Sequence, residues 1–199
     1  MEKLYLSCHP TEAGAYLAGF EAAFGHLFDA KPGRSGDLDS ASANAYIETI
    51  RRLGLIDAAT VVVVLVSRNS RASRRIDWEI AAALSADGAD RGAAALFAIM
   101  LPDLPRRRPR AAEGSAAPFF EYQNMPPRLA DNVRSGYARI YDWNWLCADE
   151  ARVATALAAA RARQRQVTRL IDNRRRLLTN DLPTPAAEFD GSRERRRRA

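Results

Sequence analysis

ATVVVVLVS (residues 59–67) and SRRIDWEI (73–80), separated by five residues, give the clearest indication of the fold in this sequence. The first is a continuous β-branched run, which is typical of a strand buried on both faces. The second begins with a serine, a residue type favoured at helix N-caps, and spaces Ile76 and Ile80 as a helix does. These two stretches therefore predict a buried strand followed by a helix over 73–86.

The same alternation of strands and helices continues on both sides of these stretches. Apolar strand patterns occur at 3–7 and 93–101. Helical spacing of apolar residues occurs at 11–28 and 43–55, and the Gly-, Asp- and Ser-rich segment 29–42 predicts a loop. This alternation predicts the α/β class, with a flavodoxin-like, doubly wound parallel sheet.

The second half of the chain is less regular. Six of the ten prolines lie in 102–127, which predicts an irregular insertion, and order returns at 128–143. We expect a globular domain at 1–146, a long alanine-rich helix at 147–178 and a basic, disordered tail at 179–199.

The composition is that of a soluble globular protein, with 47% hydrophobic and 27% charged residues among 199. No apolar run approaches the ~20 residues that a membrane-spanning helix needs, so we expect no contact with a membrane. The strand-like start of the sequence argues against a secretory signal. Cys8 and Cys147 have no metal-site spacing, which favours reduced thiols and a cytoplasmic location.

The net charge of +6 belongs to the end of the chain. Residues 151–199 contain 13 arginines and 5 acidic residues, whereas residues 1–150 contain 17 basic and 19 acidic residues. The arginine-rich tail lacks interleaved aromatic residues and follows a core of opposite sign. We therefore do not expect a nucleic acid as a specific partner, because contact through such a tail is non-specific and sensitive to salt.

Glu79 is the first candidate for a functional residue. In an open α/β sheet, ligands bind beyond the carboxyl ends of the strands, where helices begin. On a helical wheel Ile76 and Ile80 face the sheet, and Glu79 lies on one flank of that face. This position predicts a carboxylate at the rim of a ligand crevice. The alternative is that Glu79 pairs with Arg75 on a solvated surface.

Trp78 points almost directly away from the sheet and needs a second packing partner. We expect burial by the C-terminal segment in preference to ligand stacking. The aromatic stretch 136–145 is the favoured cover, and a second copy of the chain is the alternative.

The sequence contains few other residues or motifs that would indicate a catalytic or binding site. The sequence contains neither a GxGxxG nor a Walker A pattern, and its two histidines predict no metal site. His9 follows the first strand, at the same sheet edge as Glu79, and is open to interpretation as a site residue or a loop residue. Asp39 and Ser70 are weaker candidates for the same pocket, because both lie in predicted loops.

Three motifs in order resemble those of a known family. SCHP (7–10) follows the first strand, SRRIDWEI (73–80) lies in the central helix, and YDW (141–143) closes the series. Over residues 1–145 the chain resembles the TIR-like domains of bacterial Thoeris anti-phage systems. Arg75 stands where that family has a tryptophan.

The resemblance implies an enzyme that uses NAD as its substrate and needs no cofactor. TIR enzymes cleave the nicotinamide–ribose bond with a helix glutamate, which corresponds to Glu79 here. The implied product is a cyclic or conjugated ADP-ribose derivative that activates a separate effector protein. Ser7 and His9, in the first motif, are the implied substrate-binding residues, and Asp39 and Ser70 remain the weaker candidates for substrate binding.

A second interpretation of the same resemblance is a catalytically silent TIR-like module that assembles as a homo-oligomer or with an effector. The two interpretations differ in whether the charge of Glu79 is needed for function.

Overall fold

The protein is described here by a computed structural model, which covers residues 2–31, 42–57, 60–86, 92–104 and 122–181. Five strands form one sheet in the order β2-β1-β3-β4-β5, and all neighbouring strands are parallel. The strands are β1 (Glu2–Cys8), β2 (Phe28–Lys31), β3 (Thr60–Val66), β4 (Ala95–Met100) and β5 (Arg139–Asp142). The predicted doubly wound parallel sheet is thereby confirmed.

Helices cover both faces of this sheet. They are α1 (Pro10–Phe24), α2 (Ala43–Arg52), α3 (Arg74–Leu84), α4 (Pro127–Arg134), α5 (Trp143–Leu146) and α6 (Glu150–Gln166). One core cluster joins the sheet to α1 and α6, and the other joins it to α2, α3 and α4. None of the described helices has the length and apolar character needed to cross a membrane.

Strand β3 lies at the centre of both clusters. All seven of its residues are buried, with Val61 and Val63 packed on one face and Val62 and Val64 on the other. The prediction of a strand covered on both faces is confirmed. The sheet order also makes the gap between β1 and β3 a topological switch point, because the connections from these two strands lead to opposite sides.

Strand β2 was missed by the sequence pattern, which predicted a helix as far as residue 28 and a loop after it. Helix α1 ends at Phe24, a 3₁₀ turn spans Gly25–Leu27, and β2 then pairs with β1 at the sheet edge. Phe28 is buried, whereas Asp29 is exposed. In a strand of only four residues, the alternation of apolar and polar residues is too short to be distinguished from the pattern of the neighbouring helix.

The C-terminal helix is shorter than predicted, because α6 ends at Gln166 rather than near residue 178. A 3₁₀ turn at Thr168–Leu170 follows α6, and beyond it the backbone bonds to side chains of α4. Asn132 exchanges two hydrogen bonds with the backbone of Asp172, and Arg128 donates to the carbonyls of Arg175 and Arg176. These contacts use peptide groups that a continuing helix would bond internally.

Residues 171–181 form an extended segment that we call the C-terminal strap. The strap passes over α3 and α4, and its last residues, Thr179 and Asp181, hydrogen-bond to Arg74. The sequence predicts a disordered tail from residue 179 onward, but residues 179–181 belong to the strap. The remainder of that tail, 182–199, lies outside the described residues.

The strap, α2 and α4 together enclose α3. Every residue from Ile76 to Leu84 is buried, although a helix packed on a sheet usually leaves one face in water. The Trp78 indole donates to the carbonyl of Leu178 at 2.7 Å, and its ring lies 5.5 Å from that of Tyr46. Burial of Trp78 by the C-terminal segment is confirmed. The expected cover at 136–145 is wrong, since the strap takes that place.

We predict that Trp78→Ala lowers the free energy of unfolding by about 3–5 kcal/mol, because it empties a buried aromatic site. Trp78→Phe keeps the ring contact and loses the bond to Leu178, at a cost of about 1 kcal/mol from that bond. Urea unfolding measures both changes. Trp145, which is 49% exposed, is the matched control, and its alanine variant should lose less than about 1 kcal/mol. A loss at Trp78 that varies with protein concentration would show that a second copy covers it.

Candidate functional site

Glu79 lies in the second turn of α3, and its side chain is completely buried between β1 and α2. One carboxylate oxygen, Oε2, accepts a hydrogen bond from the Ser7 hydroxyl at 2.5 Å. The other, Oε1, accepts from the Tyr46 hydroxyl at 2.8 Å. Both oxygens are therefore held by hydroxyl groups, on the carboxyl side of the sheet.

Local sequence explains this arrangement. The Ser73 side chain accepts from the backbone N–H of Ile76 and so sets the start of α3. Ser7 lies two residues beyond Tyr5 on β1, so both side chains project from the same face of the sheet. The site is therefore assembled from β1, α2 and α3, beside the switch point between β1 and β3.

The environment of Glu79 disfavours its charge. Burial raises the pKa of this carboxyl above its usual range, and hydrogen bonds from Ser7, Tyr46 and Tyr5, together with the positive charge of Arg75, offset part of that rise. Burial, followed by the nearby carboxylate, raises the pKa of Tyr5 and Tyr46 in turn. Among the described residues, no Lys, Arg or His forms an ion pair with Glu79.

Asp77, only two residues away, has the opposite environment. Its carboxylate is 1% exposed and pairs with Arg128 Nε at 2.9 Å, and it also accepts from the backbone N–H of Leu178 at 3.0 Å. Asp77 thus has a buried counter-charge and a structural role. Of the two carboxylates in the enclosed helix, Asp77 has a guanidinium partner, whereas the hydrogen bonds that the described residues donate to Glu79 come from hydroxyl groups.

Two expectations for Glu79 are wrong. It does not lie at an exposed rim, because α2 covers the flank that the helical wheel left open. It also does not pair with Arg75 on a solvated surface. The Arg75 guanidinium instead lies 5.9 Å from the ring centroid of Tyr46.

The predicted substrate-binding residues lie in different places. Ser7 contacts Glu79 directly, as expected. His9 lies at the same end of β1, half-buried, where it precedes α1 and its Nδ1 is 3.3 Å from the Thr11 hydroxyl. Ser70 is buried within the turn after β3, where its hydroxyl accepts from the Ser67 N–H at 2.9 Å. Asp39 lies outside the described residues.

Sequence reasoning missed the two tyrosines. Tyr5 could have been found, because it shares a strand face with Ser7. Tyr46 lies within the helical spacing of apolar residues at 43–55, which predicts a buried ring and gives no signal that its hydroxyl contacts a carboxylate.

Glu12, in the first turn of α1, has a structural role. Glu12 accepts from the backbone N–H of Asn69 at 2.9 Å and from its side-chain amide at 2.7 Å, and so joins α1 to the turn after β3. In the part of the chain that the structure describes, no three His, Cys, Asp or Glu side chains are grouped so that they could hold a metal ion.

Comparison with known protein families gives a match to part of the chain. Residues 19–106 match the model of the TIR-like domain of the Thoeris protein ThsB. The resemblance predicted from the motifs is confirmed, and the family supports a role in anti-phage defence. No curated protein and no solved structure gives a significant match. The matched segment contains Tyr46 and Glu79, whereas Ser7 and His9 precede it.

We predict that Glu79→Gln is stabilising relative to wild type at pH 8 and that this advantage shrinks toward pH 4.5. The folded-state pKa of Glu79 is raised, so the unfolded chain releases its proton first as the pH rises. Stability is thus lost from the unfolded pKa upward, by about 1.4 kcal/mol for each tenfold difference in acid dissociation constant between the two states. Glutamine cannot ionise and escapes this loss.

Urea unfolding of both proteins across this pH range measures the effect. Glu48→Gln, at an exposed position on α2, is the matched control and should follow wild type throughout. Parallel curves for Glu79→Gln and wild type would contradict the assignment of a raised pKa.

Proposed function

We propose that this protein is an NAD-consuming enzyme that cleaves the nicotinamide–ribose bond and releases an ADP-ribose-derived signal in anti-phage defence. Glu79 is the catalytic residue in this proposal. The observation that carries it is the Glu79 carboxylate, held by the hydroxyls of Ser7 and Tyr46 beside the switch point. The TIR-like match over 19–106 supports the reaction class.

The chemistry suits a carboxylate of this kind. When the bond breaks, nicotinamide leaves with the electron pair and positive charge develops on the ribose. A fixed carboxylate in a water-excluded site stabilises that charge more than it stabilises the ground state. The positive charge of the bound nicotinamide ring would also lower the pKa of Glu79 and favour its ionised form.

The hydroxyl partners suggest how substrate is held. A ribose diol presents two hydroxyl donors, the same type of group that Ser7 and Tyr46 present to Glu79. The diol can therefore replace them on the carboxylate without leaving an oxygen unsatisfied.

This replacement requires the site to open, because Glu79 is fully buried. Arg51 ties the C-terminal end of α2 to the carbonyl of Ala82 at 2.6 Å. Tyr46 lies nearer the other end of α2. In our proposal that end moves away from α3 when substrate binds.

The remaining parts of the proposal follow from the family. The product is a cyclic or conjugated ADP-ribose that activates a separate effector, and assembly as a homo-oligomer is part of the same proposal. The proposed location is the cytoplasm, where NAD is available and where Cys8 and Cys147, which form no disulfide within the described residues, stay reduced.

A silent assembly module is the second candidate, and one observation favours it. Both oxygens of Glu79 are satisfied by protein groups, and the side chain has no exposed surface. In that case the charge of Glu79 would be dispensable.

We predict that Glu79→Gln lowers the NAD-derived product by about 100-fold or more, because the variant keeps the shape of the side chain and removes the charge. Mass spectrometry of nucleotides from phage-challenged cells measures the product, and plaque counts measure protection. Thermal unfolding confirms that the variant is folded, and Glu48→Gln is the control. Wild-type product formation by the variant would refute the catalytic role. Protection without any NAD-derived product would favour the silent module.

A further inference from the structure

We infer that Arg128 is a positioning residue for Glu79. Arg128 does not touch Glu79, but it holds α3 from the opposite side and so fixes the direction in which Glu79 points. The kinetic consequence of this inference rests on the proposed function, whereas its structural part does not.

Arg128 connects three parts of the molecule. Its side chain is 1% exposed, and its guanidinium spans both oxygens of Asp77, at 2.9 and 3.3 Å. The same group donates to the Asn173 side chain at 2.7 Å and to the carbonyls of Arg175 and Arg176 at 2.9 and 3.2 Å. The planar fork of an arginine makes such contacts in one fixed geometry, which a lysine cannot reproduce.

The strap extends this hold along the whole of α3. It runs antiparallel to the helix, because its successive residues contact α3 from the C-terminal end to the N-terminal end. The bonded pairs are Asn173 with Ala81, Leu178 with Asp77 and Trp78, and Asp181 with Arg74. Arg128 binds the strap in the middle of this run, so that α3, α4 and the strap form one unit.

Helix geometry links the two carboxylates. At 3.6 residues per turn, Asp77 and Glu79 lie about 200° apart and so on nearly opposite sides of α3. A rotation of the helix by about 20° would move a group about 6 Å from its axis by about 2 Å. Such a shift would break the bonds of Glu79 to Ser7 and Tyr46, which measure 2.5 and 2.8 Å. The bidentate pair of Asp77 with Arg128 opposes that rotation.

The test compares Arg128→Lys with Arg134→Lys in the full chain. Arg134 is the matched control, because it lies on the same helix and its side chain is 57% exposed. Steady-state kinetics gives kcat and KM for NAD. Carbon-13 NMR of the Glu79 carboxyl, assigned by its loss in Glu79→Gln, gives the titration midpoint of that group.

We expect Arg128→Lys to lower kcat by about 100-fold with KM little changed, since a misplacement of about 1 Å can have this effect. We also expect it to shift the titration midpoint of Glu79, whereas Arg134→Lys should change neither quantity. Arg128→Lys that is less stable but keeps the wild-type kcat and midpoint would overturn the inference and leave Arg128 a purely stabilising residue.

Two further outcomes remain decisive. If wild type and Glu79→Gln turn over NAD equally, the proposed function fails, and the NMR midpoint alone decides whether Arg128 positions Glu79. If Arg128→Lys does not fold, Asn173→Ala removes part of the same network and is judged by the same two criteria.

Discussion

The sheet, the strap, α2 and α4 enclose α3, and this enclosure determines how each carboxylate on the helix is held. A helix enclosed in this way cannot leave a carboxylate in water, yet α3 carries Asp77 and Glu79 two residues apart. Asp77 is buried with an arginine as its counter-charge. Glu79 is buried with hydrogen bonds from hydroxyl groups and, within the part of the chain that the structure describes, has no ion-pair partner. One helix thus holds a carboxylate that is paired with an arginine and another whose pKa is raised by its burial.

Much of this fold could be predicted from the sequence. The β-branched run at 59–67 and Ser73 located the central strand and the start of the central helix, because each depends on local chemistry. The position of Glu79 on this helix could be predicted for the same reason, through its spacing from residues that face the sheet. Strand β2 escaped notice because it is short and lies at an edge.

The surroundings of Glu79 could not be predicted in this way. A helical wheel assumes that one side of a helix faces water, and only a distant part of the chain can change that. Leu178 lies one hundred residues from Trp78, and the strap is held by polar bonds to Arg128 and Asn132 rather than by a periodic apolar pattern. The match to the Thoeris TIR-like domain ends at residue 106, so it includes neither Arg128 and Asn132 nor the strap.

The position of the strap near the end of the described chain means that its contacts with α3 form late during synthesis. Protein synthesis proceeds from the N-terminus, so residues 171–181 leave the ribosome after the strands of the sheet and the helices α1 to α6. Until then Trp78 lacks the hydrogen-bond acceptor of Leu178, and Asp77 and Arg128 lack the backbone groups that complete their pair. A chain that ended before residue 171 would therefore contain Ser7, Tyr46 and Glu79 but not the strap that contacts α3. The helix that carries Glu79 therefore gains its last hydrogen-bond partners only after residues 171–181 have been synthesised.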